Sequence, residues 1–217
     1  LTDYTARRTM MVDTQVRPSD VTRFPIIDAM LSIPREDFVP DNLREAAYVG
    51  ENLDIGNGRI MLEPRTLAKM LELADVQPGH VALDIGCGLG YSTAILASLC
   101  DFVVAIEDDD ARAEEAQTLL SGHGIDNAAV MAGPLIAGSA KSGPYDLIMV
   151  QGAVEYLPDD LLVQLRDGGR IVCLFAEGAL GVVRVGHKID GVVNWRFGFN
   201  AGAPVLDGFR HPVAFAF

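Results

Sequence analysis

Between residues 80 and 175 short apolar runs alternate with segments whose apolar positions recur every three or four residues. An unbroken apolar run of five or six residues suits a strand covered on both faces, and the helical segments between supply the covers. The pattern therefore predicts an α/β fold, doubly wound around a mostly parallel sheet. Strands are expected at 81–84, 102–107, 128–132, 147–150 and 170–175, with helices at 91–98, 109–121 and 158–165, the last ended by Gly168-Gly169.

The flanks read differently. Residues 1–50 look helical, most clearly over 20–31, where Val21, Phe24, Ile27, Ala29, Met30 and Leu31 fall at near-helical spacing before Pro34 and Pro40 punctuate the chain. The stretch 52–63 bears Gly56 and Gly58 in a mixed pattern, and Pro64 suits the first turn of a helix over 64–74. After Ala176, the runs 180–189 and 192–199 flank Asp190-Gly191, a two-residue hairpin signature, so antiparallel strands are expected at one sheet edge, with 213–217 able to pair there. One domain is expected over 1–217: a helical N-terminal extension (1–79), a core (80–176), and an antiparallel C-terminal edge and tail (177–217).

Composition narrows the function. Apolar residues make up 49 % of the 217, enough for a core that needs no disulfide or structural metal. With 17 Lys and Arg against 30 Asp and Glu, the net charge of −13 argues against a nucleic-acid partner, and Arg7-Arg8 is the one dense basic run. Cys87, Cys100 and Cys173 are widely spaced and read as buried thiols of a reducing compartment. His80, His123, His187 and His211 lie far apart, without metal-ligand spacing, so no metal is expected. The opening residues lack an apolar secretory core and no 18-residue apolar stretch follows, which predicts a cytoplasmic protein without a membrane partner.

The strongest chemical signal is Asp84-Ile-Gly86-Cys87-Gly88-Leu-Gly90-Tyr91, a strand running through a glycine-rich turn into a helix. A dinucleotide site wants a third glycine where Tyr91 stands. The G-x-G-x-G spacing behind an acid instead suits a ligand with a positive amino group, such as S-adenosylmethionine. Glu107 ends the next apolar run about 20 residues on, where a doubly wound fold places a carboxylate for ribose hydroxyls. Candidate cofactor residues are thus Asp84, Gly86, Cys87, Gly88, Gly90, Tyr91, Glu107, its neighbour Asp108, Gly133 after the third strand and Gln151 after the fourth. Cys87 reads as a filler of the turn, not a nucleophile. Glu155 could reach cofactor or substrate, or simply stabilise its loop; Tyr4, Trp195 and Phe199 are aromatic candidates for an acceptor side or for packing.

Beyond the turn, the chain resembles the protein-L-isoaspartate O-methyltransferases, within the S-adenosylmethionine-dependent methyltransferases, over roughly residues 10 to 175. The resemblance rests on Met30-Leu-Ser-Ile-Pro34-Arg35-Glu36-Asp-Phe38-Val-Pro40, Ala47-Tyr48, Leu53-Asp-Ile-Gly56-Asn-Gly58, Asp84 to Tyr91, Ile106-Glu107, Pro144-Tyr-Asp146 and Gln164 to Arg170. It implies a Rossmann-like fold, S-adenosylmethionine as cofactor, S-adenosylhomocysteine as product, and a protein, peptide or small-molecule methyl acceptor. The family's loop after Gly58 typically reads Gln-Thr-Ile-Ser, its hydroxyls meeting the acceptor carboxylate; here Arg59, Ile60, Met61 and Leu62 stand there. The acceptor-side candidates are accordingly Arg59, Ile60 and Leu62, with Arg59 either a carboxylate fork or a solvated surface arginine. Gly133-Pro134-Leu135 replaces the family's Gly-Asp-Gly beside the adenine. Two functions stay open: a methyltransferase with an unassigned acceptor, and a catalytically inactive regulatory protein binding the same cofactor. The oligomeric state is equally open.

Overall fold

The computed structural model describes residues 3–178 and 180–211. Seven strands form the main sheet in the order β5-β4-β3-β6-β7-β8-β9. These are β3 (Val81–Ile85), β4 (Phe102–Glu107), β5 (Ala128–Ala132), β6 (Tyr145–Val154), β7 (Leu165–Glu177), β8 (Leu180–Ile189) and β9 (Val192–Asn200). The strands β5, β4, β3, β6 and β7 are parallel, while β8 and β9 run antiparallel to their neighbours. The doubly wound sheet with an antiparallel edge is as the pattern predicts. Asp190 and Gly191 turn the β8–β9 hairpin with φ of 52° and 78°, the left-handed conformations that a two-residue turn requires. The expected run at 213–217 lies outside the described residues.

Alternate strand residues feed two apolar layers. Ala82, Val103, Leu147, Met149 and Val172 meet the helices α3 (Pro64–Ala74), α4 (Tyr91–Ala97) and the N-terminal extension. Leu83, Ile85, Ile106, Ile148 and Ile171 face the other way, against Leu161, Leu206 and Phe209. The helix α5 (Asp110–Gly122) follows β4, with Asp109 as its N-cap accepting from the Arg112 amide.

Three expectations need correction. The helix expected at 20–31 is α2 (Phe24–Ser32), because Asp20 sits at φ 62° and Pro25 lies in the first turn; α1 (Tyr4–Met11) precedes it. The helix expected at 158–165 is a single turn, α6 (Asp159–Leu162). Gly168-Gly169 does not end that helix. The pair lies within β7, where the register against β6 jumps from Tyr145↔Leu165 to Leu147↔Arg170. Gly168 has φ +83°, and a Cβ on Gly169 would sit 2.9 Å from the Arg166 carbonyl oxygen, so glycine permits the bulge. The mixed stretch at 52–63, to which the pattern assigns no element, is a hairpin of β1 (Leu53–Gly56) and β2 (Arg59–Met61). Asn57 and Gly58 turn it at φ 54° and 71°.

Candidate functional site

The carboxyl ends of parallel strands are where an open α/β sheet presents ligand-binding loops. At the end of β3 the chain turns through Gly86, Gly88 and Gly90, with φ of +78°, +59° and +97°. The Gly86 amide donates to the Ile106 carbonyl at 2.8 Å, fastening the turn to β4, and Gly90 caps α4. Glycine is needed for approach as well as for φ. A Cβ on Gly86 would lie 2.5 Å from Arg59 Nη2, and one on Gly88 would lie 2.8 Å from Ile55 Cδ1. The β1–β2 hairpin thus folds directly over the turn.

Two buried carboxylates mark the ends of adjacent strands. Asp84 is fully buried and accepts from three neutral donors: Ser92 Oγ at 2.6 Å, Thr93 Oγ1 at 2.7 Å and Gln151 Nε2 at 2.7 Å. Burial pushes its carboxyl above the usual range, and those hydrogen bonds oppose the shift. Glu107 is also fully buried, but its donors are mostly cations. Arg112 Nη1 reaches Oε1 at 3.1 Å, and Arg59 Nη2 and the Gly88 amide reach Oε2 at 3.1 and 2.8 Å. Burial pushes this carboxyl up too, with Arg59 the chief opposing influence.

The hairpin explains how Arg59 arrives there. Its turn sets Arg59 opposite Gly56, whose carbonyl accepts from Arg112 Nη2 at 3.3 Å, so one arginine ties hairpin, helix α5 and Glu107 together. Arg59 is only 4 % exposed, which excludes the solvated-surface alternative. Its Nε and Nη1 are buried without a hydrogen-bond partner among the described residues. Beside the turn is a cavity of about 20 Å³ bordered by Ile60, Leu62, Gly88, Tyr91, Ser92 and Gln151, room for about one water. The acidic strand ends and the glycine-lined approach fit a nucleoside bearing hydroxyls and an ammonium group. The Arg59 side chain packs on Gly86.

The other candidates divide. Gln151, Ile60 and Leu62 border the cavity with the glycine turn. Cys87 does so as well, but burial pushes its thiol far above the usual range, in keeping with a filler role. Tyr91 opens α4 and stacks beneath Arg35, whose guanidinium carbon is 4.9 Å from the ring centre. Gly133 donates its amide to the Glu107 carbonyl at 2.9 Å, while Asp108 is exposed next to Glu107. Glu155 is turned to the tail, accepting from the His211 amide. Trp195 packs edge-on against Phe175, Phe199 lies under Lys69, and Tyr4 meets Tyr48, all of them packing contacts. Sequence reasoning missed Ser92, Thr93 and Arg112. Two hydroxyls opening the helix after an acid-ended strand, and an arginine three residues past the N-cap Asp109, are signals that could have found them.

A parallel sheet with β3 and β4 ending in acids around a glycine turn, an antiparallel edge and a helical extension defines the Rossmann-like methyltransferase class. The model of the family "Protein-L-isoaspartate(D-aspartate) O-methyltransferase (PCMT)" matches residues 7–194. A protein-L-isoaspartate O-methyltransferase of Aliivibrio fischeri (strain MJ11) is 35 % identical over 178 residues, covering 82 % of this chain and 86 % of that protein. One from Koribacter versatilis (strain Ellin345) is 36 % identical over 191 residues, covering 88 % and 86 %. Among solved structures, a protein-L-isoaspartate O-methyltransferase superposes with a TM-score of 0.80 at 23 % identity, covering 95 % of this chain and 66 % of that one. A Plasmodium falciparum structure, described as a putative protein-L-isoaspartate O-methyltransferase in complex with S-adenosyl-L-homocysteine, gives 0.77 at 18 % identity, covering 95 % and 99 %. The chain belongs to the protein-L-isoaspartate (D-aspartate) O-methyltransferase family. That family is S-adenosylmethionine-dependent, and no finding favours the inactive regulatory alternative. No helix among the described residues is long and apolar enough to cross a membrane.

Proposed function

We propose that the chain binds S-adenosylmethionine at the glycine turn, with Glu107 holding the ribose hydroxyls, and directs methyl transfer to a carboxylate of a protein or peptide acceptor. The observation that carries this is the pair of buried acids, Asp84 and Glu107, ending neighbouring strands on either side of that turn. When bound there, the cofactor would supply a sulfonium methyl whose transfer to a carboxylate oxygen forms one C–O bond, returns the S–C pair to sulfur and needs no proton transfer. The chain's task is then positioning and the exclusion of water. Gly86, Gly88 and Gly90 let a ligand approach the main chain. Ser92, Thr93 and Gln151 lock the Asp84 carboxyl in one orientation. Asp108 and Gly133 flank Glu107, Cys87 and Tyr91 belong with Gln151 to the cofactor side of the turn, and Arg59, Ile60 and Leu62 form the acceptor side.

The names of the relatives make an isoaspartyl peptide the first acceptor to test. Incorporation of labelled methyl into such a peptide, against a matched aspartyl control, is the assay. Transfer into the isoaspartyl peptide alone is expected, together with a rise in the cofactor KM of about tenfold for Glu107→Gln, which exchanges a charged acceptor for a neutral one. Binding of S-adenosylhomocysteine with no transfer to either peptide would overturn the acceptor assignment.

A further inference from the structure

Glu107 is one carboxylate facing two buried guanidinium groups, Arg59 and Arg112. Asp84, the other buried acid at the turn, is held by neutral donors and forms no ion pair among the described residues. Arg112 is anchored twice more, through Gly56 and the cap at Asp109. Among the described residues Arg59 has Glu107 alone, and its Nε and Nη1 are without a partner at 4 % exposure. A buried charge-bearing donor left partly unsatisfied is costly, so its retention in the site points to a group that satisfies it. The cavity wall itself carries no cation, since Ile60, Leu62 and Leu89 are apolar. Arg35 also has an Nη1 without a partner among the described residues, but it sits over the Tyr91 ring with Nε and Nη2 on the carbonyls of Ala47 and Leu62, whereas Arg59 lies on Gly86 of the turn itself.

We propose that Arg59 is the carboxylate-binding group of this site: paired with Glu107 in this structure, it exchanges that internal carboxylate for one carried in by a ligand. The proposal rests on the cofactor reading above. Ribose hydroxyls taking Glu107 Oε2 loosen Arg59, and the freed guanidinium, already desolvated beside Gly86, meets an incoming anion with little further dehydration. It thereby takes over from the hydroxyls that positions 60 and 62 lack. The carboxylate has two sources, the methyl acceptor or the aminoacyl tail of the cofactor.

Calorimetry on the wild type and Arg59→Gln separates them. Three titrations are needed: S-adenosylhomocysteine, 5′-methylthioadenosine (which keeps the nucleoside and lacks the tail carboxylate), and an isoaspartyl peptide at saturating S-adenosylhomocysteine. If the acceptor is the source, the variant loses about tenfold or more in peptide affinity while both nucleosides bind at least as well as before. If the cofactor tail is the source, S-adenosylhomocysteine weakens by a similar factor and methylthioadenosine does not. Equal gains for both nucleosides with unchanged peptide binding would make Arg59 a mere competitor for Glu107 and overturn the proposal, as would no change at all. Failure of the wild type to bind either nucleoside is a different pattern, and removes the cofactor reading along with the proposal. Should Arg59→Gln not fold, Arg59→Lys carries the same comparison, since lysine keeps the charge on Glu107 but not the planar fork.

Discussion

Asp84 and Glu107 end adjacent strands, are equally buried, and are held by opposite chemistry. Neutral hydroxyl and amide donors from α4 and β6 fix Asp84 inside one packed layer. Guanidinium groups from a surface hairpin and from α5 hold Glu107. Neutral donors set an orientation and keep it, whereas an ion pair between separate elements can be traded for another of like charge. Asp84 is thus a fixed post, and Glu107, at the end of the neighbouring strand, is the one we propose to be exchangeable.

The largest effect expected is at Glu107. Glu107→Ala strands two buried guanidiniums and should cost about 3–5 kcal/mol in urea unfolding. Asp84→Ala leaves three donors without an acceptor, yet the hydroxyls can turn elsewhere, so a smaller loss of about 1–3 kcal/mol is expected in the same assay. If Asp84→Ala proves the costlier, the contrast between ionic and neutral holding fails.

Asp84 also has a pH signature. Its carboxyl is held above its ordinary value by burial, so the folded chain keeps a proton that the unfolded chain has lost. The stability this provides is complete below the ordinary value near pH 4 and is lost as pH rises through the raised one. Asp84→Asn should therefore flatten the fall of the urea midpoint above about pH 4; an unchanged slope would place the titration elsewhere. The smallest effect belongs to the hairpin. Gly58→Ala has open space around the added methyl but φ +71°, so about 1 kcal/mol of backbone strain is expected, read as a lower melting temperature.

The two halves of the site differed in legibility as well. The glycine turn, Asp84 and Glu107 lie on consecutive strands at family spacing, and local pattern reveals them. Asp190-Gly191 was readable as a hairpin because long alternating runs flank it. Asn57-Gly58 is the same kind of signal, but β1 and β2 beside it are only four and three residues long and too mixed in pattern to read as paired strands. Without that hairpin, the sequence offers Arg59 as an acceptor-side candidate but not its partner. Its pairing with Glu107, 48 positions away, depends on the hairpin folding over the turn, which no local periodicity encodes. Gly168-Gly169 misled for a related reason: a glycine pair after a helical segment reads as a stop, whereas here it lets β7 bulge against β6.

The most direct test of the exchangeable carboxylate is a crystal structure of the chain with S-adenosylhomocysteine. The ribose hydroxyls are predicted on Glu107, with Arg59 drawn off Gly86 while Asp84 keeps Ser92, Thr93 and Gln151. A nucleoside bound elsewhere, with the Arg59–Glu107 pair intact, would contradict the account.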